Sequence, residues 1–411
     1  MTDNLREMID SIQLIDQHAH PGFAGYFEDF PPEKRILIAI DPYRNPKDSS
    51  AGFPYLREAH YEAYQKIYGF SREAINDPTQ KDDLIREYDR QRNNLKHLID
   101  KTMDAAGVEI LIVNAFLHSD LKNKPRIKFI PTVDPLLFPF DNTYLTSRSP
   151  LTTSYLAAFE HILNILKVKN KYSSQSFADY LEFVDRVLAQ FVNNGAVGFK
   201  LFIAYVRNTY CEKVEEIEGS LLFERAKRGE SAAYRRLQDL LVWYIIRKSL
   251  EYKLPIQWHF ALSDPYIGCF DCLNLSEMIC DPIASKAKQV VLHGGYPRFD
   301  HAELLALAGG FIPNNIYLDI SGRMMFMNHP RILAGTLRKW LEKPILWDKI
   351  MYGSDAFCGE RYIYVASKVG RDAVYFALKS MIDDEIINES TAIIIACKIL
   401  RENAQKLYKL Q

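Results

Sequence analysis

Eight short apolar segments, most of them separated by helical patterns, constrain the fold of this 411-residue chain more than any other sequence feature. Each segment is continuous rather than alternating in hydrophobicity, which is typical of parallel strands covered on both faces. The segments lie near residues 12, 108, 127, 196, 255, 289, 315 and 349. Because right-handed βαβ connections are the default between such strands, we predict one α/β domain, residues 1–411, folded as a (β/α)₈ TIM barrel.

Helical patterns fill most of the intervals between these strands. The weakest interval lies between the second and third strands, where Leu117–Pro125 is too short for a full helix. The predicted helices cover Tyr55–Tyr68, Gln80–Ala105, Thr153–Lys167, Ser176–Asn193, Glu224–Tyr252 with a break near Gly229, Leu275–Lys286, His301–Ala308, Pro330–Leu341, Arg361–Ile382 and Ser390–Tyr408.

Residues 23–104 form a long segment without strand character directly after the first strand. A segment of this length between a strand and its helix is most simply an insertion, and loops at that end of a barrel commonly carry function. We therefore predict a helical insertion, 23–104, over the barrel mouth. Its aromatic side chains would narrow access to a site there; they are Phe23, Tyr26, Phe27, Phe30 and Tyr43.

Polar side chains lie at or near the ends of several predicted strands. His18 and His20 end the first strand, and residues two apart in a strand point to the same face. Alone, this pair is as compatible with two ordinary strand histidines as with two metal ligands. Further strands carry Lys200 (fourth), His259 (fifth), His293 (sixth) and Asp355 (eighth). Because barrel active sites lie at the carboxyl ends of the strands, this convergence predicts a metal site with an adjacent acid or base.

The ordered set of these residues resembles the amidohydrolase superfamily. Several local motifs are similar to its amidohydrolase-related branch, and most of all to the domain fused to glutamine-synthetase-like sequences in nodulin/FluG-type proteins. In one departure, relatives often place Arg directly after the residue equivalent to Tyr205, whereas Val206 precedes Arg207 here. The motifs are Gly198–Tyr205, Gln257–Phe260, Leu292–Pro297, Tyr317–Ser321, Tyr352–Ala356 and Glu402–Tyr408.

The resemblance implies that His18, His20, His259 and Asp355 bind one divalent ion. Zn²⁺ is favoured, with Mn²⁺ or Fe²⁺ as alternatives for the same donors. Asp355 would also accept a proton from a metal-activated water, and His293 would polarise the substrate.

Lys200 leaves two interpretations open. In two-metal relatives a lysine on this strand is carbamylated and bridges the ions, whereas in one-metal relatives it contacts the substrate. We favour one metal, with Lys200 as a catalytic residue.

Arg207, Arg323 and Tyr296 are candidate substrate-binding residues. The two arginines follow the fourth and seventh strands, and a guanidinium group binds a carboxylate in bidentate fashion. Both are equally compatible with ordinary surface arginines. His118 and Asp134 either line the pocket or cap a loop, and loop capping is favoured.

The leading function is metal-dependent hydrolysis of a C–N bond, in an amide or related compound, in a small carboxylate-bearing substrate. The first alternative keeps the barrel and metal but decarboxylates the substrate or isomerises a sugar acid. The second alternative is a non-enzymatic scaffold, which is disfavoured because no ligand of the set is missing.

The amino-acid composition limits the classes of binding partner that we expect. The 51 basic and 52 acidic residues nearly cancel, which gives no global electrostatic support for a nucleic-acid partner. No stretch approaches the roughly 18 apolar residues of a membrane span. Met1–Ile12 lacks the apolar segment of a signal peptide, and the six cysteines are scattered, Cys269 and Cys272 excepted. We therefore expect a cytoplasmic enzyme acting on a small molecule, with homo-oligomerisation left open.

Overall fold

The computed structural model describes residues 4–20, 53–115, 125–146, 150–173, 176–261, 268–308, 314–322, 324, 328–357 and 359–410. These residues fall into two units: the first lies within 1–113, 123–127 and 319–411, and the second within 114–122 and 128–318. Each unit combines parallel strands with helices, which confirms the predicted α/β class. The single closed (β/α)₈ barrel stays a prediction.

All eight predicted strands are present. In the first unit β1 pairs in parallel with β2, and in the second unit β4, β5, β6 and β7 pair in parallel in that order. Parallel bridges from Phe129 to Ala196 and from Thr132 to Lys200 join β3 to the β4 segment. The strands are β1 Leu14–Ala19, β2 Val108–Ala115, β3 Ile127–Pro131, β4 Phe199–Leu201, β5 Ile256–Trp258, β6 Gln289–Val291, β7 Ile316–Ile320 and β8 Ile350–Tyr352.

Helices connect the strands in both units. Those of the first unit are Asn4–Ser11, Pro54–Ala63 with a π-helical continuation Tyr64–Tyr68, Arg72–Asn76, Lys81–Arg92, Leu95–Ala106, Pro330–Leu341, Arg361–Asp383, and Glu389–Cys397 with a π-helical segment Lys398–Glu402 leading into Asn403–Leu407. Those of the second unit are Thr143–Thr146, Pro150–Lys169, Phe177–Asn193, Gly219–Lys227, Ser231–Tyr252, Ser276–Cys280 and Phe299–Leu307. The break predicted near Gly229 is confirmed, since Gly229 adopts a φ of 88° between two of these helices.

Two predicted helices are wrong as single elements. The segment Gln80–Ala105 is divided because Asn94 begins a new helix, its side-chain oxygen accepting a hydrogen bond from His97 N at 3.3 Å. The segment Leu275–Lys286 is divided at Asp281, which precedes a proline and is therefore extended, with ψ of 134°. In both places a local backbone preference outweighs the apolar periodicity.

The described part of the predicted insertion, from residue 53 onward, is helical, as predicted. It packs against the helix Arg361–Asp383: Lys368 Nζ lies 2.7 Å from Glu62, and the Tyr364 hydroxyl donates to Glu62 at 3.2 Å. The five aromatic residues predicted to narrow the site lie outside the described residues, and the location over a barrel mouth stays a prediction. No helix in the described part of the chain is long and apolar enough to cross a membrane.

Candidate metal centre

The end of β1 carries both predicted histidines in buried positions. Asp355 N donates a hydrogen bond to His18 O at 2.6 Å, and His20 N donates to Ala356 O at 3.1 Å. These backbone bonds pair the end of β1 with the segment that follows β8. They explain why a residue more than 330 positions away in sequence lies beside the two histidines.

Three side-chain atoms converge in what we call the His–Asp cluster, which consists of His18, His20 and Asp355. The two Nε2 atoms are 3.3 Å apart, and Asp355 Oδ1 lies 3.4 Å from His18 Nε2 and 3.2 Å from His20 Nε2. Donor atoms at Zn–N and Zn–O distances of about 2.0–2.1 Å form a tetrahedron with edges of about 3.3 Å. The cluster therefore has the donor types and the spacing that a divalent ion requires.

The backbone directly after β8 has two unusual features where Asp355 approaches the two histidines. Asp355 adopts a φ of 51°, in the left-handed region that costs a non-glycine residue about 1–2 kcal/mol. Such strain is concentrated at functional sites. Gly353 has no room for a side chain, because a Cβ there would lie 2.9 Å from His18 Cβ and 2.8 Å from Asp319 Oδ2. Both features allow β8 to approach β1 closely enough for the cluster to form.

Buried polar side chains that the sequence analysis did not single out support His18. Ser321 Oγ lies 3.2 Å from His18 Nδ1 and donates a hydrogen bond to Asp319 Oδ1. Asp319 Oδ2 lies 3.5 Å from the same Nδ1 and accepts a hydrogen bond from Gln17 Nε2. The signal was present in the sequence, since Asp319 and Ser321 are two apart at the end of β7, like the histidines of β1.

Asp16 lies in β1, two residues before His18, and its side chain connects β1 to the segment that follows β8. Its Oδ1 accepts hydrogen bonds from Ser354 N at 2.8 Å and from His18 N at 3.3 Å. Complete burial raises the pKa of Asp16 to about 7, although the bonds to Ser354 and His18 oppose the rise. Asp16 thus holds the backbone before His18 and before Asp355.

The second unit contains its own polar cluster, which consists of Lys200, His259 and His293. His293 Nε2 lies 3.1 Å from His259 Nδ1, within hydrogen-bonding distance. His259 stacks on Tyr205, with ring centroids 4.3 Å apart, and the fully buried Lys200 places Nζ 4.7 Å from the centroid of the Phe202 ring. His293 adopts a φ of 57°, another left-handed non-glycine residue at a predicted catalytic position.

Asp134, at the end of β3, acts as a backbone cap, as the favoured interpretation of the sequence predicts. Its two carboxylate oxygens accept from Phe202 N at 2.8 and 2.9 Å. Burial raises the pKa of Asp134 to about 7, and the charge of Lys200 opposes the rise. Asp134 therefore fixes the chain that leads out of β4.

Arg207 and Tyr296, two of the predicted substrate-binding residues, make contacts with different neighbours. Arg207 is buried, and its guanidinium group donates to Asp239 and, at 3.0 Å, to Gln238. Tyr296 is partly exposed and its N donates to His293 O at 2.9 Å. Arg323 and His118 lie outside the described residues. A substrate-binding role for Arg207, Arg323 and Tyr296 stays a prediction.

Comparison with known proteins gives similar folds rather than a family. No protein-family model matches the chain, and no curated protein matches it. The solved structure of a protein from Lactobacillus casei ATCC 334, described as a metal-dependent hydrolase, is 18% identical with a TM-score of 0.65, over 99% of this chain and 98% of that one.

Two solved isomerases are similar over the same extent. Uronate isomerase from Thermotoga maritima is 13% identical with a TM-score of 0.67, over 98% of this chain and 96% of that one. Uronate isomerase from Bacillus halodurans C-125 is 14% identical with a TM-score of 0.63, over 99% and 96%. Identities this low establish a shared fold alone.

Proposed function

We propose that this chain is a metal-dependent enzyme of the amidohydrolase superfamily that acts on a small molecule. The observation that carries the proposal is the His–Asp cluster, whose three donor atoms are separated by 3.2, 3.3 and 3.4 Å. Two neutral imidazoles and a carboxylate suit Zn²⁺, and Mn²⁺ or Fe²⁺ can use the same donors. His18 and His20 hold the ion, and Asp355 contributes one oxygen. The similarity in fold to solved metal-dependent and isomerase structures is consistent with this assignment.

The proposed chemistry follows from the residues around the ion. A bound divalent ion supplies Lewis acidity and lowers the pKa of a coordinated water from 15.7 to about 7. In the hydrolysis, Asp355 would accept the proton of the attacking water at its carboxylate and later pass it to the leaving amine. The proposal also includes His259 as a fourth ligand, His293 as the group that polarises the substrate, and Lys200 as a substrate contact. We favour one ion over the two-ion arrangement in which Lys200 is carbamylated.

Two reactions are proposed, and they carry equal weight. Hydrolysis of a C–N bond in a carboxylate-bearing amide is supported by the sequence resemblance to nodulin/FluG-type domains. Isomerisation of a sugar acid is supported by the similar solved structures, of which several are uronate or glucuronate isomerases. Both reactions use a Lewis acid beside a proton-transferring carboxylate, so the site alone is compatible with either.

A cytoplasmic location remains a prediction.

A substrate screen with two parallel readouts tests the function. Metal-loaded protein is incubated with N-acyl and γ-glutamyl amides, and release of amine is measured. It is also incubated with hexuronates, and conversion to a keto isomer of unchanged mass is followed by NMR. Metal-loaded Asp355→Asn is the control, and it should lose whichever reaction the wild type performs. Absence of bound metal together with absence of turnover in both panels would contradict the proposal.

A further inference from the structure

A continuous chain of hydrogen-bonded side chains leads from Tyr408 to the Nδ1 atom of His18. All of its members are buried in the first unit. The Tyr408 hydroxyl lies 2.7 Å from Gln17 Oε1, Gln17 Nε2 contacts Asp319 Oδ2, and Ser321 Oγ contacts Asp319 Oδ1. We call this set the Tyr408–His18 chain; its members are Tyr408, Gln17, Asp319, Ser321 and His18.

Each contact along this chain has a donor and an acceptor that the chemistry of the side chains assigns. Gln17 Oε1 carries no hydrogen, so the Tyr408 hydroxyl donates to it, and this fixes the amide with Nε2 towards Asp319. Asp319 then accepts at Oδ2 from Gln17. It accepts at Oδ1 from Ser321, whose hydroxyl has only one hydrogen. That hydrogen is therefore not available to His18.

His18 Nδ1 faces two acceptors as a result. Ser321 Oγ lies 3.2 Å from Nδ1, and Asp319 Oδ2 lies 3.5 Å from it. With the Ser321 hydrogen directed at Asp319, Ser321 Oγ accepts from Nδ1 and the Asp319 carboxylate lies beside the same atom, so Nδ1 carries the ring hydrogen. A neutral imidazole that is protonated at Nδ1 has its lone pair at Nε2. Nε2 is the atom that lies 3.3 Å from His20 Nε2 and 3.4 Å from Asp355 Oδ1.

We propose that Asp319 and Ser321 are positioning residues that hold His18 in its Nδ1-protonated tautomer, with the Nε2 lone pair directed at the ion. The inference rests on the metal-dependent function proposed above and deepens it. Partners of this kind on a ligating histidine typically change metal affinity by 10- to 100-fold. Gly353 completes the arrangement, because a Cβ there would lie within 3.2 Å of Gln17 Nε2 as well as against His18 and Asp319.

Asp319→Asn and Ser321→Ala differ in their expected effects. The amide introduced by Asp319→Asn has a single acceptor oxygen, so its NH₂ group would donate towards either Gln17 or Ser321. Donation to Ser321 turns the hydroxyl hydrogen towards His18 and favours the Nε2-protonated tautomer, which cannot ligate. We expect Asp319→Asn to weaken Zn²⁺ binding by about 10- to 100-fold. Ser321→Ala leaves Asp319 Oδ2 near Nδ1 and should weaken binding less.

Zn²⁺ affinity is measured by competition with a chromogenic chelator, with Ser249→Ala as the matched control. Ser249 is a buried serine of the second unit whose hydroxyl donates to Ile246 O, so its removal should leave Zn²⁺ affinity unchanged. If wild type binds Zn²⁺ and both Asp319→Asn and Ser321→Ala bind it equally well, the inference is wrong and the metal-dependent function stands.

The tautomer itself is read in metal-free wild-type protein, so this readout depends neither on Zn²⁺ binding nor on the folding of a variant. Long-range ¹H–¹⁵N spectra of ¹⁵N-histidine protein identify the protonated nitrogen, and His18→Gln assigns the signal. The spectrum is recorded at about pH 8, above the usual imidazole pKa. A hydrogen on Nδ1 alone supports the inference. A hydrogen on Nε2 of wild-type His18 overturns it, whatever the metal analysis shows.

Discussion

The His–Asp cluster of the first unit and the Lys200–His259–His293 cluster of the second contain similar residues in different arrangements. In the first, two Nε2 atoms and a carboxylate oxygen lie at distances suited to a shared metal ion. The opposite ring nitrogen of His18, Nδ1, lies beside Ser321 and Asp319. In the second, the two imidazoles are within hydrogen-bonding distance of each other and the third member is a buried lysine.

We propose that this difference separates a cation site from a proton-transfer site. A carboxylate among converging lone pairs favours a cation, whereas an uncarbamylated lysine among histidines opposes one. Two histidines in contact can pass or share a proton and can orient a substrate oxygen. We therefore assign metal binding to the first cluster, with His259 as the proposed fourth ligand, and substrate polarisation to His293 of the second. Both assignments are part of the proposed function, and mutations in the two clusters should consequently have different signatures.

The largest expected effect is on metal binding after loss of an imidazole in the first cluster. His18→Ala or His20→Ala removes one of the converging ligands and should weaken Zn²⁺ binding by more than the roughly 100-fold associated with supporting residues. His293→Ala should leave Zn²⁺ affinity near the wild-type value while turnover falls. Equilibrium competition with a chelator measures all three variants. Equal losses of affinity in His18→Ala and His293→Ala would remove the distinction between the clusters.

The next effect concerns Asp355, which has two roles in the first cluster. Asp355→Asn keeps one coordinating oxygen but loses the basic carboxylate, so turnover should fall by about 10²- to 10⁴-fold. Bound metal should be retained far better than in His18→Ala. Elemental analysis and initial rates on the same preparations check this pair of outcomes. Near-normal turnover in metal-loaded Asp355→Asn would exclude the proton relay.

A third effect tests the close approach of β8 to β1. Gly353→Ala places a Cβ against His18 Cβ and Asp319 Oδ2 and should destabilise the fold by about 1–3 kcal/mol, with weaker metal binding. Gly335→Ala is the matched control, since Gly335 is exposed in a helix with nothing within 4 Å of the added Cβ. It should stabilise the protein by about 1 kcal/mol. Chemical denaturation of both variants measures the contrast, and equal stabilities would contradict it.

Much of the fold follows from the sequence, because continuous apolar runs identify buried parallel strands without tertiary information. The eight strands and most helices are confirmed in this way. Helix boundaries are less predictable: Asn94 and Asp281 redirect the chain through side-chain bonds to the backbone. The helix Asn4–Ser11 was not predicted at all.

Only part of the candidate metal site could be predicted from the sequence. His18, His20 and Asp355 were identified by strand position and by resemblance, and the structure brings these three together. The supporting residues were missed because their meaning lies in contacts across the chain, such as Gln17 with Asp319 and Tyr408. Burial of a polar strand residue depends on which neighbours pair with it, and sequence does not report that.

The remaining expected effect is a pH dependence that arises in the second unit. The pKa of Asp134 rises from 3.8 to about 7 on folding because the carboxyl is buried. The folded state therefore binds more protons than the unfolded state between these values, and stability from this group falls as pH rises from about 4 to about 7. Unfolding free energy should decline with pH by less than about 1.4 kcal/mol per unit relative to Asp134→Asn.

Denaturation curves of wild type and Asp134→Asn across this pH range isolate the contribution. Asp16 also has a raised pKa, but it is present in both proteins and cancels in the difference. Parallel pH profiles of the two proteins would show that Asp134 does not titrate as its burial implies.

Metal content of the wild-type protein tests the central claim most directly. Protein purified without chelator is analysed for Zn, Mn and Fe, and its thermal unfolding is followed with and without added Zn²⁺. We predict one bound divalent ion per chain and an unfolding temperature that rises with free Zn²⁺, because a ligand of the native state stabilises it. Absence of bound metal together with no shift on adding Zn²⁺, Mn²⁺ or Fe²⁺ would contradict the assignment of His18, His20 and Asp355 as a metal site.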